Sequence, residues 1–195
     1  LHYFKRMELF ATQKEQKNIV MLGNSLTEGG HWNAILGRND VANRGIGSDV
    51  TEGYINRISD VFDLEPKICF IEGGVNDLAR NIAPDVIIKN LAILIDTLRS
   101  ESIVPVLHMV TYVADNYRSI DPKTFNNSIK NLNLAIDALA KEKKVMLIDL
   151  NTKIADGEYL LKQYAIGDGI HYTAATYSLW EKEISKILND LNLNK

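Results

Sequence analysis

The stretch NIVMLGNSLTEG, residues 18–29, indicates the fold class and contains the first candidate for chemistry. Residues 18–22 form a near-continuous apolar run, which is typical of a parallel strand covered on both faces. Gly23 then allows a sharp turn, and Ser25 follows the predicted strand. A serine hydroxyl placed there can attack an acyl carbon if a base takes its proton, and helix capping by Asn24 or Ser25 is the alternative interpretation.

Other segments of the chain extend this into a repeating pattern of strands and helices. Four more apolar runs predict strands at 40–43, 67–72, 103–108 and 145–149. Helices are predicted at 31–36, 50–59, 84–99, 123–141 and near 180–191, the last three from apolar residues that recur every three or four positions. The alternation predicts an α/β/α sandwich: a five-stranded parallel sheet with helices on both faces. Residues 112–122 and 151–169 lack periodicity and are predicted to be long loops.

Length and composition predict one ordinary globular domain. The chain has 195 residues, of which 46% are hydrophobic and 24% charged, and its net charge is −3. We therefore expect a single domain over 1–195, with residues 1–17 forming a helix at its edge. The scattered basic residues do not indicate a nucleic-acid partner. No run approaches the roughly 20 apolar residues of a membrane span, so we expect a soluble protein.

Two features bear on the compartment, and neither decides it. Because the chain begins at Leu1, both a cytoplasmic location and a secreted or periplasmic one after removal of a leader stay open. Cys69 is the single cysteine, so no disulfide within the chain can indicate the compartment. It lies in an apolar run and is predicted to be a buried structural thiol.

Ligands of such sheets bind beyond the carboxyl ends of the strands, so the residues that follow each strand are the candidates for a functional site. The segment NRGIGSD, residues 43–49, follows the second strand, and its backbone N–H groups can face developing negative charge or simply connect strand to helix. Val50 stands where a dinucleotide-binding motif needs its third glycine, which excludes that motif. The segment GGVND, residues 73–77, follows the third strand, and its Asn76 amide can donate to an oxyanion or form an Asx turn.

The fourth segment, GDGIHYT, covers residues 167–173 near the end of the chain. Asp168 lies three residues before His171, and a turn of that length can place the carboxylate beside the imidazole. A loop aspartate next to a surface histidine is the alternative interpretation. Together the four segments supply a nucleophile, oxyanion donors and an Asp–His pair at one edge of one sheet.

These segments resemble the signature blocks of the SGNH hydrolases, also called the GDSL esterase/lipase family, from about residue 18 to about residue 188. The resemblance implies a flavodoxin-like topology and a serine esterase that needs no metal or organic cofactor and takes a small-molecule ester. It identifies Ser25 as nucleophile, Asp168 and His171 as the acid and base, and Asn76 as the side-chain oxyanion donor. Asn24 stands where many members have aspartate.

The second block departs from the family pattern. Members usually have glycine directly before the aspartate that corresponds to Asp49, and this chain has Ser48 there. The resemblance implies an oxyanion hole made of the Ser25 N–H, the Ser48 N–H and the Asn76 amide, with Gly47 as the substitute for Ser48 if the turn shifts. Serine tolerates positive φ less well than glycine.

Other enzyme and binding classes fit the residues less well. An ordinary α/β-hydrolase needs G-x-S-x-G, and Thr27 stands at the fifth position. A non-catalytic flavodoxin-like binding module would use residues 23–29 to hold a phosphate, which leaves the Ser, Asn, Asp and His set unexplained. A metal hydrolase lacks H-E-x-x-H and a thiol cluster. His108 ends a strand and is predicted to be structural rather than to line the cleft.

The substrate class is predicted only in outline. Trp32, just after the nucleophile block, is expected either to wall the acyl or alcohol pocket or to pack in the core. No long apolar lid is apparent, so a short acyl group is expected, with carbohydrate O-acetyl groups first. A lysophospholipid or a thioester is the second choice.

Overall fold

The computed structural model describes residues 1–194, which contain one sheet of short strands. The strands are β1 (Ile19–Gly23), β2 (Val41–Gly45), β3 (Ile68–Ile71), β4 (Val104–His108) and β5 (Met146–Ile148). Their order is β2-β1-β3-β4-β5, and all neighbouring pairs are parallel. The predicted α/β fold with a five-stranded parallel sheet is therefore confirmed.

Helices connect the strands and cover the sheet. They are α1 (His2–Thr12), α2 (Ser25–Glu28), α3 (Trp32–Ile35), α4 (Thr51–Asn56), α5 (Ser59–Phe62), α6 (Val75–Ala79), α7 (Pro84–Ser100), α8 (Pro122–Lys143), α9 (Asn151–Ile154) and α10 (Ala174–Asp190). Local chemistry explains where two of these helices begin. Pro84 occupies the first turn of α7, and the Asp121 carboxylate accepts from Thr124 N at 2.9 Å to cap α8.

Two predicted segments differ from the structure. The single helix predicted over 50–59 is two helices, because the chain leaves helical geometry at Arg57, with φ −118° and ψ 18°. The predicted loop 151–169 contains α9 and a 3-10 helix at Lys162–Tyr164. These pieces are too short to produce a visible period in the sequence.

The two faces of the sheet are covered by separate apolar cores. Val20 and Leu22 point to one face, where they join the buried stripes of α7 and α8. Ile19 and Met21 point to the other face, where they pack with α10. Because successive strand residues face opposite sides, this alternation gives a three-layer sandwich.

Strand order determines where the functional residues meet. The connection after β1 runs toward β2, whereas the connection after its neighbour β3 runs the other way, toward β4, and ligands bind at such switch points. Ser25 lies two residues after the end of β1, and Asn76 lies five residues after the end of β3, in α6. None of the helices in residues 1–194 is long and apolar enough to cross a membrane.

Candidate active site

The turn that carries Ser25 is fixed by its neighbours. Asn24 Oδ1 accepts from Leu26 N at 2.9 Å and so caps α2, which begins at Ser25. At Gly23 a Cβ atom would lie 2.1 Å from Thr27 Oγ1, so only glycine allows this close approach. The N–H of Ser25 is at the first position of the helix, where no intrahelical acceptor exists.

Two consecutive hydrogen bonds connect three of the predicted site residues. Ser25 Oγ lies 2.9 Å from His171 Nε2, and His171 Nδ1 lies 2.6 Å from Asp168 Oδ2. An ionised carboxylate only accepts, so His171 Nδ1 carries the proton and Nε2 is left to accept from the serine hydroxyl. The arrangement suits proton removal from Ser25.

The loop around Asp168 holds this carboxylate in its charged form. Asp168 Oδ1 accepts from the backbone N–H groups of Ile170 and His171 at 3.1 and 3.0 Å. Partial burial opposes ionisation, but the hydrogen bonds from the His171 ring and these amides outweigh it and lower the pKa of Asp168. A charged acceptor therefore faces the imidazole.

The turn after β2 leaves one backbone amide free. The turn is closed by Asp49 N donating to Ile46 O at 3.1 Å, and Ser48 has a φ of +64° within it. Gly47 N–H donates to Glu28 Oε2 at 2.6 Å, whereas no acceptor for Ser48 N–H is present among residues 1–194. The substitute role predicted for Gly47 is therefore corrected, since its amide is already occupied.

The Asn76 amide is oriented by the same turn. Asn76 Nδ2 donates to the Asp49 backbone oxygen at 2.9 Å, which uses one of its two N–H groups. Arg57, 1% exposed, anchors Asp49 in turn through Nε to Oδ2 at 2.8 Å and also donates to Gly23 O and Arg44 O. One buried guanidinium thus joins the ends of β1 and β2 to the turn.

Sequence reasoning missed a buried carboxylate beneath the Ser25 turn. Glu72, 5% exposed, accepts from Asn24 Nδ2 at 2.9 Å and from Thr27 Oγ1 at 3.0 Å. Burial raises the pKa of Glu72 to about 7, against the lowering effect of these hydrogen bonds. Glu72 directly follows β3, and its place in the apolar run 67–72 was the one available signal.

Trp32, for which the sequence left both a pocket wall and a core position open, packs in the core. Its side chain is 2% exposed, its Nε1 donates to Thr27 O at 2.8 Å, and its ring packs edge-on against Trp180. The alternative core role is the one that the structure supports. The short helix α3 turns this residue inward, against α10.

His108 is structural, as predicted. It is 3% exposed, its Nδ1 lies 3.0 Å from Ile71 O, and its Nε2 accepts from Trp180 Nε1 at 2.7 Å. Burial lowers the pKa of His108 to about 4, so the ring is neutral near pH 7. Within residues 1–194, no group of three or more His, Cys, Asp or Glu side chains is arranged to hold a metal ion.

Cys69 also has the predicted structural role. Its side chain is fully buried in β3, and burial raises the pKa of the thiol well above its ordinary value. The protonated thiol behaves as a small apolar group there.

The chain matches the model of a known protein family. The model of the GDSL-like lipase/acylhydrolase family matches residues 21–179. No curated protein matches the chain at the sequence level.

Solved structures agree with the family match. A GDSL-like lipase from Bacteroides thetaiotaomicron is 25% identical with a TM-score of 0.83, over 97% of this chain and 98% of that chain. A lipase/acylhydrolase from Enterococcus faecalis is 25% identical with a TM-score of 0.73, over 89% and 95%. An acetylxylan esterase from Geobacillus stearothermophilus shares the fold at 15% identity and a TM-score of 0.73, over 87% and 93%. The chain belongs to the GDSL-like lipase/acylhydrolase family of carboxylic ester hydrolases.

Proposed function

We propose that this protein is a serine esterase that removes short acyl groups, with Ser25 as nucleophile, His171 as general base and Asp168 as the residue that orients the base. The observation that carries this proposal is the chain Asp168–His171–Ser25, with hydrogen-bonded contacts of 2.6 and 2.9 Å. Each residue type matches its role, since an aspartate fixes the imidazole tautomer and a neutral Nε2 accepts the hydroxyl proton.

In the proposed mechanism, His171 Nε2 takes the Ser25 proton while Ser25 Oγ bonds to the ester carbonyl carbon. The resulting oxyanion receives hydrogen bonds from Ser25 N–H, Ser48 N–H and the second N–H of Asn76. Collapse of this intermediate breaks the bond to the alcohol, which leaves with the proton from His171. Water then repeats the sequence on the acyl-enzyme, releases the acid and returns the proton to Ser25.

A short acyl group, acetyl first, is the proposed substrate feature. The side chains of His171 and Asp168 are 42% and 44% exposed, so the site is open to solvent. The segments 112–122 and 151–169 are the long stretches predicted to be loops. Among the described residues, Ile166 is the one large apolar side chain that these two segments expose. A long acyl chain would find little apolar surface there.

Carbohydrate O-acetyl groups are the proposed natural substrate. The likeness to the fold of an acetylxylan esterase is consistent with this choice. Arg80 Nη2 donates to the Ser48 oxygen and Asn76 Nδ2 donates to the Asp49 oxygen, so polar groups lie next to the proposed oxyanion donors, which suits a hydroxyl-rich alcohol.

The test is hydrolysis of p-nitrophenyl esters from two to twelve carbons by wild type and Ser25→Ala, followed by acetylated xylan-type oligosaccharides. We expect wild type to prefer the two-carbon ester and Ser25→Ala to lose activity by about 10⁴-fold or more. A preference for eight to twelve carbons would instead favour the lysophospholipase or thioesterase alternative.

A fluorophosphonate probe followed by peptide mass spectrometry identifies the nucleophile independently of any substrate. Wild type is expected to carry the label on Ser25. Ester hydrolysis by Ser25→Ala at the wild-type rate, or a label on another residue, would overturn the assignment.

A further inference from the structure

The carboxylate of Glu28 joins the nucleophile helix to the turn that carries Ser48. Glu28 is the last residue of α2, three residues after Ser25, and its Oε2 accepts from Gly47 N at 2.6 Å. A charged acceptor on a backbone amide makes a short and strong hydrogen bond. The same four-residue helix therefore carries the proposed nucleophile at its start and the support of the turn at its end.

The proposed mechanism uses the N–H of Ser48, which belongs to the peptide bond between Gly47 and Ser48. Because the Gly47 N–H is held by Glu28 and the Ser48 oxygen accepts from Arg80 Nη2 at 2.6 Å, both sides of this turn are tethered. Between these tethers Ser48 keeps a φ of +64°, which is unfavourable for serine. A conformation of this kind persists only when its surroundings impose it.

Helix α1 supplies two side chains that face Glu28. Arg6 Nε lies 3.4 Å from Glu28 Oε1, and His2 Nε2 lies 3.0 Å from Glu28 Oε2. Arg6 also donates to the Gly45 oxygen at 2.8 Å through Nη2, so it is attached to the end of β2. Its side chain is 17% exposed and that of Glu28 is 21% exposed, which makes this pair better protected from solvent than an ordinary surface pair.

We propose that Glu28 is a positioning residue of the oxyanion site, held in place by Arg6, and that α1 is thereby part of the support of the active site. Glu28 touches no reacting atom. It fixes the Gly47–Ser48 segment relative to Ser25, so that the Ser48 N–H points to the oxygen on which charge develops. This inference rests on the proposed function, because it assumes that Ser25 attacks and Ser48 donates.

The test compares three variants in steady-state hydrolysis of the preferred p-nitrophenyl ester. Glu28→Ala removes the acceptor, and we expect kcat to fall by about tenfold to 100-fold with KM changed less than threefold, since the lost interaction acts in the transition state. Glu28→Gln keeps an oxygen that can accept from Gly47 N–H, so we expect it to recover most of kcat. Arg6→Met keeps the apolar stem and loses the guanidinium, and we expect an intermediate fall of about threefold to tenfold.

Asp63→Ala is the matched control, since Asp63 pairs with Lys14 at 3.2 Å beyond α1 and makes no contact with the turn. We expect it to keep the wild-type kcat. If Glu28→Ala does not fold, judged by its thermal midpoint, Arg6→Met carries the test, and an unchanged kcat in that variant overturns the proposal.

The rate of fluorophosphonate labelling distinguishes failure of the positioning role of Glu28 from failure of the proposed esterase function. Labelling of wild type at Ser25, with slower labelling of Glu28→Ala and a wild-type rate for Asp63→Ala, supports both. Labelling of wild type at Ser25 with equal rates for Glu28→Ala and Asp63→Ala overturns the positioning role alone. Absence of label on Ser25 in wild type overturns the proposed function, and the positioning role with it.

Discussion

Asn76 and Asp49 are joined by a hydrogen bond of 2.9 Å from the Asn76 Nδ2 atom to the Asp49 backbone oxygen. This bond uses one amide hydrogen and fixes the plane of the carboxamide, so the second hydrogen has a defined direction. A donor that is already oriented costs no reorganisation when charge develops on a substrate oxygen. The bond between these two residues thus links the turn after β2 to α6, which follows β3, in the proposed oxyanion site.

Replacing Asn76 tests this donor. We expect Asn76→Ala to lower kcat by about 10²-fold to 10³-fold with little change in KM, the effect typical of losing one oxyanion donor. Asn76→Asp keeps the size of the side chain but replaces N–H by an acceptor, and it is expected to lose at least as much. Steady-state kinetics on a short-chain ester provides the measurement, and a kcat within threefold of wild type for Asn76→Ala would contradict the role.

Replacing Asp168 separates its charge from its contribution to the loop. In Asp168→Asn an oxygen can still accept from the amides of Ile170 and His171, but the carboxylate that faces the imidazole is lost. We expect kcat to fall by about 10³-fold to 10⁴-fold, because the wrong tautomer is favoured and the imidazolium is no longer stabilised. Asp156→Asn is the control, since Asp156 accepts from two backbone amides in the same way without a histidine partner. Equal activity of the two variants would refute the assignment.

The sheet and the candidate catalytic residues could be predicted from the sequence because both follow from the positions of the strands. Apolar runs mark the strands, and in a parallel sheet the residues after each strand lie at one edge, so the sequence alone predicts that Ser25 and Asn76 belong to the same site. The residues that hold the site in place, such as Glu28 and Glu72, could not be predicted in this way. Glu28 meets Gly47 across 19 positions and Glu72 meets Thr27 across 45, and no periodicity encodes such pairs. Trp32 was ambiguous because the direction of a one-turn helix depends on packing that lies outside its own segment.

Ser48 offers a test of backbone strain in the proposed oxyanion site. We expect Ser48→Gly to keep kcat within about twofold, because glycine adopts a φ of +64° freely. Ser48→Val places a β-branched residue in this conformation, so we expect the turn to shift and kcat to fall by about tenfold. Ester hydrolysis and thermal unfolding are measured on both variants.

Ser102 is the matched control for this pair, since it is an exposed serine with a φ of +62° before β4, at the opposite edge of the sheet. Ser102→Gly and Ser102→Val should change stability in the same direction as the Ser48 variants and leave kcat unchanged. A loss of activity in Ser102→Val as large as in Ser48→Val would show that strain, rather than the donor, causes the loss.

Glu72 is expected to make stability fall as pH rises. Its pKa is raised by burial from the ordinary 4.5 to about 7, so the folded state binds a proton more tightly than the unfolded chain does. This contribution is fully present below pH 4.5 and is lost as pH rises through about 7. Relative to Glu72→Gln, wild type should lose about 3 kcal/mol of unfolding free energy across that window. Urea denaturation of both proteins from pH 4.5 to 7.5 measures the difference, and a constant difference would contradict the shifted pKa.

His108 is expected to act in the opposite direction over nearly the same window. Burial lowers its pKa from the ordinary 6.5 to about 4, so its contribution to stability is present above pH 6.5 and is lost as pH falls toward 4. Gln in its place can donate to Ile71 O and accept from Trp180 Nε1, the two bonds that the neutral ring makes. Relative to His108→Gln, wild type should lose about 3 kcal/mol between pH 6.5 and 4. The contributions of the two buried groups then largely cancel in wild type between pH 4.5 and 6.5, and each single variant should expose the slope of the other. Curves for His108→Gln and wild type that run parallel over this range would refute the buried neutral histidine.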